Sequence, residues 1–117
     1  MKEMIHVTKE QLRSYQDIKA EKIHIEQRLR NLEKQPESEQ ESLQPLRALY
    51  REKLDELVAL QLSIEEAIET LGPVERDLFR YRYIDGMEWH QVCVKINYSW
   101  QQTHRIHKSA LIKLKNR

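Results

Sequence analysis

The chain has 117 residues, of which 33% are charged, and its formal net charge at pH 7 is +1. That length holds one ordinary domain, or a small domain with an extended appendage, and excludes most multidomain enzymes. With two Gly and three Pro in the whole chain, helices are favoured over an all-β or loop-rich fold.

In chain order, the pattern predicts an all-α protein: an N-terminal antiparallel, coiled-coil-like helical hairpin over residues 1–71, followed by a three-helix helix-turn-helix domain over residues 72–117. Pro36 and Pro45 bracket the polar stretch QPESEQESLQP, which reads as a turn between two helices. The first helix is expected to start at Thr8. Thr8 and Gln11 have the spacing at which each side chain caps the other's backbone N–H, and Val7 and Leu12 have the spacing of a hydrophobic staple. Its apolar stripe is Leu12, Tyr15, Ile18, Ile25, Leu29 and Leu32, interrupted by Lys22. The second helix is expected to be capped by Ser42, with Pro45 in its first turn, where a missing N–H has no intrahelical partner to lose. Leu43, Tyr50, Leu57, Ile64 and Leu71 recur at heptad spacing, and Leu46, Leu54, Leu60 and Ile68 widen the same face. One hairpin buries one face of each helix, so the pattern implies a homodimer or higher homo-oligomer.

From Gly72 the punctuation changes. Gly72-Pro73 starts a helix with Pro at its first position, and Asp85-Gly86 ends it. A second helix is expected over Glu88 to Ile96, with Met87 standing where a Ser or Thr cap is common. Asn97 fits the turn, because Asn tolerates a left-handed backbone better than any other non-Gly residue. Ser99 opens the last helix with Gln102 three residues on, a second capping box. Ile106, Ala110, Leu111 and Leu114 form its expected inward stripe, leaving Trp100, Gln101, His104, Arg105 and Lys108 outward. Val92 and Ile96 are expected on the inward face of that helix, with Cys93 a small side chain where the last helix passes close. Trp89 is expected to pack on Tyr81 or Tyr83, and Arg82 to pair with Asp85 or Glu75.

The near-neutral total hides two halves. Residues 1–71 hold 11 Lys/Arg against 15 Asp/Glu, a net of −4, and residues 72–117 hold 9 against 4, a net of +5. The last helix carries Arg105, Lys108, Lys113, Lys115 and Arg117 and no acid, which suits a phosphate backbone. Cys93, the one cysteine, cannot make an internal disulfide, and MKEMIHVTKEQ holds no apolar stretch of signal-peptide length. A cytoplasmic protein is expected, and no apolar run approaches the ~18–20 residues of a membrane span. No Gly-rich phosphate loop and no nucleophile with a base at a familiar spacing occurs, so no enzymatic activity is expected. His104 and His107 stand three apart without a nearby Cys or carboxylate, so neither metal nor cofactor is expected.

The stretch LGPVERDLFRYRYIDGMEWHQVCVKINYSWQQTHRIHKSALIKLK resembles region 4 of the sigma-70 factors, and within that superfamily the short phage and prophage transcriptional regulators of the ArpU and RinA type. The carrying elements are ERDLFRYRY, WHQVCVKINYS and THRIHKSALIKL. The resemblance covers about 45 residues, and the hairpin matches in general character only. It implies a sequence-specific regulator of phage or prophage genes that binds double-stranded DNA with helix 99–115 in the major groove. Ser99 would then cap that helix and touch phosphate, and Trp100, Gln101, His104, Arg105 and Lys108 would face DNA. Arg105 suits guanine and Gln101 adenine, while Lys108, Lys113, Lys115 and Arg117 suit phosphates. Trp100 either stacks on DNA or anchors the hairpin. Primary sigma factors usually carry charged residues where Trp100 and Gln101 stand, so a standard −35 element is not the implied site. Two other readings share these residues: a DNA-packaging recognition subunit like a small terminase, and an interaction protein that binds RNA polymerase without a site on DNA.

Overall fold

The computed structural model describes residues 7–116, which are helical throughout apart from caps and turns, with no strand among them. In chain order the helices are α1 (Lys9–Arg13), α2 (Tyr15–Glu33), α3 (Glu37–Glu69), α4 (Pro73–Phe79), a π-helical turn (Arg80–Ile84), α5 (Trp89–Ile96) and α6 (Trp100–Lys115). The chain divides into two compact units. One comprises the residues up to Gln16 together with those from Leu62 onward, and the other is Asp17–Gln61.

In the unit Asp17–Gln61, α2 and α3 run antiparallel. Lys53 Nζ lies 3.7 Å from Glu21 Oε1, and the Arg28 guanidinium lies 5.9 Å over the Tyr50 ring. Nearer the connection, the Gln40 side-chain amide donates to Leu32 O at 3.0 Å and to Gln35 O at 2.8 Å. Those two bonds satisfy carbonyls at and just beyond the end of α2, which have no partner within the helix. Ile18, Ile25 and Leu57 are buried, whereas Leu43 and Tyr50 of the heptad series are only partly so and Leu46 and Leu60 are exposed.

The connection is shorter than expected. α3 begins at Glu37, not after Ser42, which leaves Pro45 inside the helix. Glu37 and Glu39 in the first turn favour that early start, because carboxylates there oppose the positive end of the helix dipole. Glu39 N–H closes the turn onto Pro36 O at 2.9 Å. Arg47 reaches back over the proline, with its guanidinium donating to Gln40 O at 3.1 Å and also to Gln40 Oε1.

The other unit holds the larger core. Val7, Leu12, Tyr15, Ile64, Ala67, Ile68, Leu71, Leu78, Phe79, Tyr83, Val92, Ala110 and Leu114 are all buried. The compact body therefore does not begin at Gly72, because the N-terminal turn and the last two turns of α3 contribute to the same unit as α4 to α6. Thr8 caps α1 reciprocally with Gln11, with N–H contacts of 2.9 and 3.1 Å. The expected single first helix is broken once, at Ser14, whose hydroxyl donates to Gln11 O at 2.7 Å and competes with the helical ladder.

α4 opens as expected at Gly72 with Pro73 at its first position. It then widens into the π turn, in which Asp85 N–H bonds Arg80 O at 2.9 Å. A π turn is usually a single inserted turn that re-aims side chains. Here its end is fixed from a distant part of the sequence, since the Gln16 amide donates to Tyr83 O at 3.0 Å and Ile84 O at 2.6 Å. Gly86 follows at φ +71°, and a Cβ there would stand 3.3 Å from the Gln16 side chain. α5 is capped one position later than expected, by Glu88, whose N–H bonds Gln91 Oε1 at 3.0 Å. No described helix is long and apolar enough to cross a membrane.

Candidate nucleic-acid interface

Two helices joined by a three-residue turn frame the candidate surface. α5 ends at Asn97 in the left-handed conformation, φ 60° and ψ 44°, the only non-Gly residue with positive φ among those described. Tyr98 N–H bonds Cys93 O at 3.2 Å, so a carbonyl at the end of α5 is satisfied within the turn. Ser99 then caps α6: Gln102 N–H bonds Ser99 Oγ at 3.1 Å, and Ser99 N–H bonds Gln102 Oε1 at 3.3 Å. Asn97→Val is expected to lower unfolding free energy by about 1 to 2 kcal/mol, because a β-branched side chain is strained at positive φ. Asn97→Gly should stay close to wild type. Urea unfolding of the pair checks this, and equal losses would place the strain elsewhere.

The inward face of α6 is not quite the expected stripe. Thr103, His107, Ala110 and Leu114 are buried, spaced 4, 3 and 4, while Ile106 and Leu111 are only partly covered. A polar pair, Thr103 and His107, thus occupies positions where an apolar side chain would have been the ordinary signal. His107 is held by aromatic neighbours. Its ring centroid lies 4.6 Å from Trp89, 5.4 Å from Phe79 and 5.8 Å from Tyr83, and Nε2 shares a 2.5 Å hydrogen bond with the Tyr83 hydroxyl. Burial, together with the charges of Lys9, His104, Arg82 and Arg13, lowers its pKa to about 4. Burial pushes the Tyr83 phenol up, against the opposing pull of Arg82 and Arg13.

Trp100, Gln101, Arg105 and Lys108 are exposed on α6, with Trp100 at 55%. His104 differs from the expected outward set. Its ring sits 4.5 Å from Trp89 and 4.4 Å from Trp100, and its Nε2 is buried without a hydrogen-bond partner. The reason is helical geometry: His104 lies four residues after Trp100 and three before His107, on the boundary between the two faces. Trp89 accordingly packs on the two histidines. Arg82 places its guanidinium 4.8 Å from the Trp89 ring and donates to Met87 O at 2.8 Å, in place of the expected carboxylate pair.

Ser99 is at the cap, where its hydroxyl is used by Gln102. Lys113 bonds Glu75 Oε1 at 2.8 Å, so its charge is partly committed within the protein. Lys115 is exposed at the end of α6, and Arg117 lies outside the described residues. Among the described residues no carboxylate pairs with Arg105, Lys108 or Lys115. The α6 surface therefore offers a hydrogen-bonding amide, a bidentate guanidinium and two free ammonium groups, next to an exposed indole. Comparison with family models, with curated proteins and with solved structures finds no match.

Proposed function

We propose that this chain is a sequence-specific DNA-binding transcriptional regulator of the phage or prophage type, with α6 entering the major groove. The observation that carries the reading is the capped, acid-free α6 held beyond a left-handed Asn97 turn, with Gln101, Arg105 and Lys108 exposed along it. An α-helix fits the major groove, where guanine offers two acceptors to an arginine and adenine a donor and acceptor to a glutamine. Lys108 and Lys115 suit phosphates, and Trp100 suits a sugar or a thymine methyl.

The hairpin supplies self-association in this reading. Leu49 is 59% exposed, and Leu46 and Leu60 are exposed on the same side of α3, an apolar strip that a second copy would cover. A dimer would favour paired half-sites spaced by whole helical turns. RNA polymerase is the further partner consistent with a regulator of this type.

Selection of bound sequences from random duplexes tests the proposal, with the selected site then titrated by fluorescence anisotropy. Arg105→Ala is expected to cost about 1 to 3 kcal/mol on that site and to relax preference at one base pair. Lys108→Ala should weaken selected and random duplexes alike and reduce the salt slope by about 1. Equal losses on both duplexes for both variants would remove Arg105 as a reader of sequence, and no enrichment at all would remove the proposal.

A further inference from the structure

A second charged feature lies off the outward face of α6. Lys9 and Arg13 of α1, Arg82 of the π turn, and His104 and His107 of α6 line one pocket of about 130 Å³, with Tyr83 and Trp89 as its walls. That is several times the ~30 Å³ share of a water molecule and admits a small tetrahedral anion. Among the described residues no carboxylate pairs with Lys9, Arg13 or Arg82. Lys9, Arg13 and Arg82 all act on the His107 ring as positive charges, and Arg13 and Arg82 act on the Tyr83 ring as well.

Two further observations point to an occupant. Arg82 is preset, its guanidinium fixed by Met87 O at 2.8 Å and by the Trp89 ring at 4.8 Å, so orienting it costs little further entropy. Finally, three permanent cations gathered around one pocket repel each other and destabilise the empty state, a cost that an anion reverses.

We infer that this pocket binds a phosphate-class anion, held by Lys9, Arg13 and Arg82. Arginine forks match the oxygen spacing of phosphate, and lysine adds a point charge. The inference stands apart from the proposed reading of DNA by the outward face of α6, since it needs neither Arg105 nor Lys108. The same phosphate chemistry has two sources, the free ion and a DNA backbone group.

The test is thermal unfolding of the full chain in inorganic phosphate against chloride at equal ionic strength, at pH 7, with Lys9→Gln and Arg13→Gln beside wild type. Both residues are exposed and neither substitution opens the core. At tenfold excess over the dissociation constant, phosphate is expected to raise the wild-type midpoint by about 4 °C or more and to leave the two variants nearly unmoved. No phosphate-specific rise, or the same rise in all three proteins, would overturn the inference. A parallel titration with duplex DNA separates the sources. Weaker duplex binding by the two variants, with phosphate competing, assigns the pocket to a backbone phosphate. Unchanged duplex binding, or no duplex binding by wild type, with the phosphate-specific rise intact, assigns it to the free anion.

Discussion

Acidification from pH 7 to 4.5, in buffer free of phosphate, is expected to weaken the unit that contains α4 to α6 by about 2 to 3 kcal/mol through His107 alone. The group is 6% exposed and its folded pKa is about 4, well below the 6.5 usual for histidine. A histidine whose pKa is depressed by folding binds its proton more readily in the unfolded chain. Its neutral form therefore supports the fold fully above about pH 6.5, and that support is lost progressively as the pH falls toward about 4. Burial is the leading cause, and the neighbouring Lys9, His104, Arg82 and Arg13 add to it. Protonation would also disturb the 2.5 Å hydrogen bond to the Tyr83 hydroxyl. Urea unfolding across pH 4 to 7 measures the slope. His107→Gln keeps a hydrogen-bonding group but does not titrate, so its curve should be flatter by that amount. Parallel curves for the two proteins would show that carboxylates elsewhere, not His107, govern the acid response.

Pro45→Ala is expected to stabilise the hairpin unit by about 2 to 3 kcal/mol. Proline inside a helix removes one ladder hydrogen bond and crowds the carbonyl four residues earlier, at a cost of about 3 kcal/mol relative to alanine. Part of that is offset because proline also restricts the unfolded chain. The substitution would restore a bond from residue 45 N–H to Glu41 O in the third turn of α3. Helical circular dichroism followed through urea measures the change. A gain below about 0.5 kcal/mol would mean that the helix effectively starts near Ser42, where proline at the first turn is harmless.

The features that were legible in the sequence are those decided within four residues. Thr8 with Gln11, Gly72-Pro73, Asn97, and Ser99 with Gln102 each act through their own backbone neighbours, and each stands where the spacing put it. The start of α3 is not legible, because Ser42 with Pro45 three residues on is also a sound helix opening. What separates the two openings is the acidic first turn after Pro36 and the cross-connection amide of Gln40, and the second of these depends on tertiary geometry. The π turn was not legible at all, since what steadies its carbonyls is Gln16, some 67 residues away in sequence. On the candidate interface, the outward placement of Trp100, Gln101, Arg105 and Lys108 follows from helical period alone. His104 and His107 did not follow, because histidine is neither a clear core residue nor a clear surface one. The three cations beside them come from two elements about 70 residues apart, so no window of sequence contained their pocket.

Gln16 also bears on how this protein could be recombined. Its amide fastens the exit of the π turn, and Val7, Leu12 and Tyr15 are buried in the same unit as Leu78, Val92 and Leu114. Residues 72–117 are therefore not a portable cassette that begins at the glycine. A chimera that exchanged only residues 72–117 would keep one protein's latch and another's lock. An exchange that kept this core whole would have to carry three separate stretches together: the residues up to Gln16, the last turns of α3, and everything from Gly72 onward. Point changes on the exposed side of α6 leave that interdependence intact, so the surface chemistry of this helix can vary while the core stays fixed.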